Sequence, residues 1–573
     1  MKQLSALDTT FLYMETANSY GHVSSVSVYE RPYPEYDAFG AYRRVIEQRL
    51  GVLEPLRRRL VKDPLDLDRP YWIIDPDFDL EFHLRHIAVP PPGDHQQLQT
   101  QIERLASRPL DQTRPLWETY VIDGLPDGRF AVFSKMHHAT VDGAAGAELL
   151  GMITDLEPGA SRPEFDVEPA PADPVPSSLE LLRKGVVGMA LQPAKLAAYQ
   201  LQLLRDVGEV TRMHGIKSAA DVMGRFVPGG AGQTIRRWAH EDHDDSPDVP
   251  VTPAPATSFN ASIGPHRNFE ARSVPLDDIK TLKNAMGATV NDVVMAICAG
   301  ALRTWLDGKG ELPDVPLVAM VPVSIRSGEE TDRWTNRVSA IFAELPTNEG
   351  DVLTRVMRVH EAMLHGKEQF DMLPAEILSD LSQLAPPALA IRASRLASRM
   401  HLGNRLHLPF NLVLSNVPGP RQPLYLDEAR LVHYYPVSTL VEGQGLNITV
   451  QSYLDTLDFG LVSCRNLVPD LADLADLLDH EVQQLFDALG LERTAAKPVA
   501  PKPKTAAKRK ARAKKKAPAT KKAPAPKNAA AKKKAAKKKA ASKAKAKTSA
   551  AKPAKKKATA KARTPARSKS TPA

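Results

Sequence analysis

Cysteine is almost missing. Cys298 and Cys464 are the only two in 573 residues, too few and too far apart for a disulfide framework or a thiolate metal site, and their scarcity fits a reducing compartment. No stretch of eighteen apolar residues occurs, so no segment reads as a membrane-spanning helix. The opening MKQLSALDTTFLYMETANSY has no unbroken apolar run of the secretory kind and already carries Asp8 and Glu15; the expectation is a cytoplasmic chain that is not secreted. A glycine-rich phosphate loop and a G-x-S-x-G nucleophile elbow are both lacking, which sets aside two large catalytic classes.

Acidic residues are absent from one region only. From Lys497 to the C-terminus there are 30 Lys plus Arg and no Asp or Glu, leaving 46 basic residues against all 67 acidic ones in the rest. The net charge of +9 therefore hides an acidic body joined to a basic tail. The tail repeats Lys, Ala and Pro without one aromatic side chain, so it cannot bury enough surface to offset its ordering entropy; residues 493–573 are expected to be disordered.

Pro- and acid-rich stretches at 156–177 and 241–256 read as linkers on either side of a helical connecting segment. The expected plan is an N-terminal half over 1–165, a linker and helical crossover over 166–257, a C-terminal half over 258–492, and the tail. Each half alternates strand and helix signals, giving an α/β fold with mixed sheets. GRFAVFSKMHHA reads as a strand, and a helix capped by Asp142 follows it. VPLVAMVPVSI and LPFNLVLSNV read as buried strands, GLNITVQSYL and TLDFGLVSC as a hairpin turning near Asp455, and DLADLADLLDHEVQQLFDAL as an amphipathic helix.

The strongest chemical signal is His137-His138-Ala139-Thr140-Val141-Asp142-Gly143, an HHxxxDG pattern placed where the strand ends and the helix begins. A strand end beside a turn puts side chains at the rim of a sheet, where α/β proteins build sites. Histidine there can take a proton near neutral pH. Asp142 can fold back to orient an imidazole, and Gly143 permits close backbone approach. Adjacent histidines on a strand point to opposite faces, so they chelate one ion poorly and only one of them faces a substrate; no metal site is expected.

With further motifs in one order, the chain resembles the bacterial bifunctional wax ester synthase/acyl-CoA:diacylglycerol acyltransferase family, from about residue 4 to 490. LSALDTTFLYMET resembles the family's opening, and Pro115-Leu116-Trp117 its PLW motif. FNASIGPHR (259–267), Asn291-Asp292, SNVPGPRQPLY (415–425) and LNITVQSYLDTLDFGL (446–461) continue the series. The resemblance implies a two-half fold like that of other coenzyme A-dependent acyltransferases, with a tunnel between the halves and mixed sheets flanked by helices. It implies His138 as general base, His137 as a supporting residue, Asp142 as an orienting one and Asn291 as a donor to an oxyanion. Pro115, Leu116, Trp117, Gly143 and Asp292 carry over as structural motif residues.

The implied activity is transfer of a long-chain acyl group from acyl-CoA to diacylglycerol. A long-chain alcohol as acceptor would share every motif, and a third reading is a non-catalytic body tethering lipid to nucleic acid. No cofactor is implied, because acyl-CoA is a substrate. A membrane or lipid droplet is the implied source of lipid, and LAPPALAIRASRLASRMHLGNRL (384–406), with Arg392, Arg395, Arg399 and Arg405 and no acid, could lie in an anionic interface. The oligomeric state is not legible.

The tail lies outside every motif. Its contact with DNA, RNA or anionic lipid is expected to be sequence-blind and salt-dependent, since it has no aromatic side chains for stacking on bases. Deleting residues 497–573 is expected to leave acyl transfer from dispersed substrate unchanged while weakening binding to DNA and to anionic vesicles together, as salt titrations of both would read.

Overall fold

The computed structural model describes residues 1–141, 143–160, 171–191, 254–324, 338–371 and 408–493, with single positions at 334, 336, 396, 398 and 400. The first half runs β1 (Lys2–Gln3), α1 (Ala6–Tyr13), β2 (His22–Glu30), α2 (Ala38–Arg49), β3 (Arg58–Val61), β4 (Tyr71–Ile74), α3 (Leu80–His83), β5 (Leu84–Ala88), α4 (His95–Ala106), β6 (Trp117–Asp123), β7 (Arg129–His137) and α5 (Gly143–Ile153). A helix over 178–191, α6, lies in the connecting segment. The second half runs β8 (Arg267–Pro275), α7 (Leu276–Met286), α8 (Val290–Asp307), β9 (Leu317–Ser324), β10 (Val338–Leu345), α9 (Val352–Asp371), β11 (Leu412–Val417), β12 (Tyr425–Leu426), β13 (Ala429–Val437), β14 (Leu446–Tyr453), β15 (Thr456–Cys464) and α10 (Leu471–Leu489). The expected hairpin is β14–β15, turning at Leu454 and Asp455, and the expected amphipathic helix is α10. The tail beyond Arg493, most of 384–406 and Asp142 lie outside the described residues.

Helix starts follow local chemistry. Asp94 and Gln97 close a capping box on α4, and Thr289 and Asp292 close another on α8, each satisfying backbone N–H groups that a helix start leaves open. Helix α10 buries Leu471, Leu474, Ala475, Leu478, Val482, Leu485 and Phe486 along one face. Together with α8 it packs on the second sheet around the largest apolar core. Between α9 and α10, Arg355 Nη1 lies 2.7 Å from Glu481 Oε2, both buried; Gly300 of α8 leaves them room, since a Cβ there would fall 1.9 Å from Glu481 Oε2.

Two six-stranded sheets form, but they do not respect the expected boundary at 258. One has the order β10-β9-β11-β14-β15-β8, and the other β12-β13-β2-β7-β6-β5. Strands β12 and β13 thus come from the second half of the chain and complete the sheet of the first. Antiparallel pairing of β13 on β2 runs from Arg430 opposite Glu30 to Val437 opposite Ser24, with a bulge between Leu431 and His433. Buried Asp458 of β15 holds that bulge to the other sheet, accepting from the Tyr434 N–H at 2.8 Å and from Ser273 Oγ at 2.6 Å. A continuous apolar cluster, including Val26, Ile102 and Phe133 from one lobe and Ile263, Phe269 and Val462 from the other, fills the junction.

The two sheets approach closely at Gly460 of β15, where a Cβ would sit 1.7 Å from the Pro436 carbonyl oxygen of β13. Backbone cannot yield there as a side chain can. Gly460→Ala is expected to lower stability by about 2 kcal/mol or more, the upper part of the overpacking range, as denaturant unfolding would measure.

Candidate active site

Strand β7 delivers the two histidines to a rim where both lobes meet. The His137 N–H donates to the Leu116 carbonyl at 2.9 Å and the His138 N–H to the Gly21 carbonyl at 2.7 Å, so the strand end is held on both sides. Their side chains then diverge, as alternation along a strand requires. His137 is completely buried, whereas His138 is half-buried.

Beneath the rim His137 joins a buried polar chain. Its Nδ1 accepts from the Ala139 N–H at 3.0 Å, so the neutral ring carries its hydrogen on Nε2. Nε2 lies 3.3 Å from Glu15 Oε1, off the line of a well-formed hydrogen bond. Glu15 also accepts from the Gly21 N–H at 2.9 Å and from Gln112, whose Oε1 accepts from Lys62 at 2.6 Å. Burial works to raise the Glu15 carboxyl, but the close contact with His137, together with the Gly21 and Gln112 donors, outweighs it and holds the group at about 2. Gly21 is obligatory by space: a Cβ would fall 2.4 Å from His137 Nε2. Its neighbour His22, opposite His137 in the ladder, is pushed well below the usual histidine range, first by burial and then by the Lys135 ammonium.

His138 meets a different set of partners. Phe11 of α1 stacks on the ring with centroids 4.0 Å apart and planes 14° from parallel. Nδ1 lies 3.1 Å from Asn336 Oδ1. Asn336 Nδ2 donates at 2.6 Å to the His138 carbonyl and at 2.6 Å to Asp8 Oδ1, and the Asn336 N–H lies 3.3 Å from the same oxygen. Asp8 and Asn336 are both buried. Burial raises the Asp8 carboxyl, against the lowering effect of its Ser5 and Asn336 hydrogen bonds.

Residues 4–294 match the profile of the wax ester synthase/diacylglycerol acyltransferase catalytic domain, and residues 334–486 match that of the WS/DGAT C-terminal domain. The chain belongs to the wax ester synthase/diacylglycerol acyltransferase family. A Mycobacterium tuberculosis protein named for diacylglycerol O-acyltransferase is 35% identical over 494 residues, spanning 85% of this chain and 100% of that protein. The O-acyltransferase WSD of Acinetobacter baylyi is 32% identical, spanning 85% and 98%. Among solved structures, the wax ester synthase/diacylglycerol acyltransferase of Marinobacter aquaeolei superposes with a TM-score of 0.59 at 27% identity, covering 86% of this chain and 100% of that one.

The remaining motif residues of this family member fall into separate places. Pro115, Leu116 and Trp117 are buried behind the histidines. Besides the Leu116 carbonyl on His137, the Trp117 indole donates to the Leu56 carbonyl at 2.7 Å, and its ring stacks on His83 at 4.6 Å. Gly143 opens α5. Asn291 stands in the first turn of α8, in the other lobe, where its Oδ1 accepts from Asn416 at 3.4 Å and its Nδ2 lies 3.4 Å from the Met295 sulfur. No described hydrogen bond joins Asn291 to His138. Asp292 closes the α8 capping box and accepts from His360 Nδ1 at 2.7 Å, tying α8 to α9. Gly419 lies where a Cβ would be 1.8 Å from the Ser452 carbonyl, so its turn is set by close approach. Among the described residues, no group of three or more His, Cys, Asp or Glu is arranged to hold a metal ion.

Sequence reasoning missed Asn336, Asp8 and Glu15 as members of this site. The two acids of the opening motif carried a signal, since charged residues within LSALDTTFLYMET that face inward need partners. Asn336 carried none, because its partners are 198 and 328 residues away.

Glu15 is held from an ordinary 4.5 down to about 2. A depressed carboxyl contributes stability that is present above its unfolded value and lost as pH falls through the folded one, here between about 4.5 and about 2. Glu15→Gln is expected to lower Tm at pH 7, by a free energy of up to about 3 kcal/mol. That deficit is expected to narrow as the scan buffer is taken below about pH 4.5.

Proposed function

We propose that this acyltransferase moves a long-chain acyl group from acyl-CoA to diacylglycerol, forming triacylglycerol, with His138 as general base. The observation that carries the assignment is the contrast between the two histidines. His137 is sealed beneath the rim against Glu15, while His138 reaches the rim, half-exposed, where the lobes meet.

A hydroxyl is a poor nucleophile until its proton is being removed, and base assistance of this kind is worth on the order of 10²–10⁴ in rate. His138 accepts the acceptor's hydroxyl proton as that oxygen attacks the thioester carbonyl. The tetrahedral oxyanion collapses, the carbon–sulfur bond breaks, and the imidazolium returns the proton to the departing thiolate of coenzyme A. No acyl-enzyme is required, since the thioester is already activated, and coenzyme A enters as part of a substrate, so the reaction calls for no separate cofactor. Asn291 supplies a donor to the oxyanion from the facing lobe; a thioether, a weak acceptor, is the partner of its Nδ2 and is readily exchanged for a developing negative charge. His137 and Asp142 support the base.

The family's name spans a second acceptor, a long-chain alcohol, with the same chemistry. Both acceptors partition into membranes or lipid droplets, and we place the enzyme at their surface from the cytoplasmic side. No single described helix is long and apolar enough to cross a membrane. The basic stretch 384–406 and the tail are the segments suited to an anionic surface.

His138→Ala is expected to abolish transfer from labelled palmitoyl-CoA to diacylglycerol and to a long-chain alcohol, offered in parallel, while the protein stays folded; His137→Ala is expected to cost less. Retention of more than about a tenth of wild-type turnover in His138→Ala would sink the base assignment, given a contribution of at least a hundredfold. Wild-type protein that binds lipid but transfers nothing would favour the tethering alternative. Asn291→Ala is expected to lower kcat by roughly 10²–10³, and an unchanged kcat would leave it a structural residue.

A further inference from the structure

We infer that Asn336, held by Asp8, is the positioning residue that fixes the tautomer and ring plane of His138. The inference rests on His138 being the base, and it gives the orienting part to a side chain from the second half of the chain.

The assignment follows from counting donors and acceptors. An asparagine amide offers two N–H donors and one carbonyl acceptor. Both Nδ2 contacts at 2.6 Å are to oxygens, and one of them, the His138 backbone carbonyl, can only accept. The amide therefore cannot be turned over, and Oδ1 faces His138 Nδ1 at 3.1 Å. An acceptor at that distance requires Nδ1 to be the donor, which puts the lone pair of the neutral ring on Nε2. The same asparagine binds the backbone carbonyl of the residue whose side chain it orients, so ring and main chain are fixed as one unit. Stacking on Phe11 sets the remaining freedom, the ring plane. Asp8 anchors the amide from beneath, and its own backbone N–H is capped by Ser5.

When the base takes its proton, Oδ1 accepts from a cationic ring, a stronger hydrogen bond than the resting one. The described titratable groups beside this assembly are Asp8 and Glu15 from the opening segment and His137 and His22 from the paired strands β7 and β2. Asn336 itself does not titrate, so it orients the imidazole without the full rise in basicity that a carboxylate in its place would bring.

The test uses the full-length enzyme with palmitoyl-CoA and diacylglycerol. Asn336→Leu removes the acceptor at similar volume and is expected to cut kcat by roughly 10²–10⁴ through loss of the productive tautomer. KM for acyl-CoA is expected to stay unchanged, because Asn336 is buried behind the ring. Losing Oδ1 also removes the acceptor that stabilises the cationic ring, so the acid limb of the variant's kcat/KM profile is expected to move to lower pH. A merely structural role would move neither the limb nor the kcat/KM split. Folded Asn336→Leu with wild-type kcat, alongside inactive His138→Ala, would overturn the positioning role and leave the base standing; full activity in both would overturn the base itself. If Asn336→Leu does not fold, histidine-selective 15N spectra of the wild type decide, with the His138 signal identified by its loss in His138→Gln. Hydrogen on Nδ1 of the neutral ring supports the inference, and hydrogen on Nε2 overturns it.

Discussion

The contact between His138 Nδ1 and Asn336 Oδ1 joins residues 198 positions apart, and it exists only while the two lobes keep their spacing. A displacement of one ångström would take it from a sound hydrogen bond to none. The junction is built to prevent that. Strand β13 is hydrogen-bonded into one sheet while Asp458 grips its bulge from the other. The apolar cluster between the sheets draws side chains from both halves, and Gly460 lets the backbones touch. Rigidity at the interface is what makes one site from two sheets.

Around the histidines the buried polar groups are arranged in two tiers. The lower tier runs from Lys62 through Gln112 and Glu15 to His137, and ends against the strand end that presents His138. The upper tier runs from Asp8 through Asn336 to His138. Each contains one acid of the same opening segment, Asp8 in α1 and Glu15 just beyond it. Burying such groups is costly unless they are paired, so their pairing also specifies where the N-terminal segment must lie. The PLW residues act on the same strand from behind through the Leu116 carbonyl and the indole of Trp117.

Much of this was legible from local pattern. Strand 129–137, the hairpin over 446–464 and the helix over 471–489 are written in alternation, turn residues and helical spacing, all of which act over a few residues. The opposite orientation of His137 and His138 follows from the strand's pleat alone. Other features depend on distant partners. Nothing within ARLVHYYPV, the segment of β13, says that it will pair with His22–Glu30 rather than with its neighbours in sequence. Asn336 sits in WTNRVSA with no periodic cue, and its meaning comes from Asp8 and His138. Asp8 and Glu15 were visible as acids in the opening segment, and their inward direction emerges only once α1 is packed against Leu60, Trp72 and Leu116.

The late position of β13 in the chain bears on how the protein is made. Residues emerge from the ribosome in order, and a leading domain ordinarily folds before the rest is synthesised. Here the outer side of β2 stays open until residues 430–437 arrive, and Tyr36 meets Leu426 across 390 residues of later chain. An uncovered strand edge invites pairing with the wrong partner. The nascent first lobe therefore spends most of translation with an open edge and an incomplete core, a period in which chaperone cover matters most. Asn336 is translated before β13, so the hydrogen-bond partner of His138 is available before the sheet around it can close.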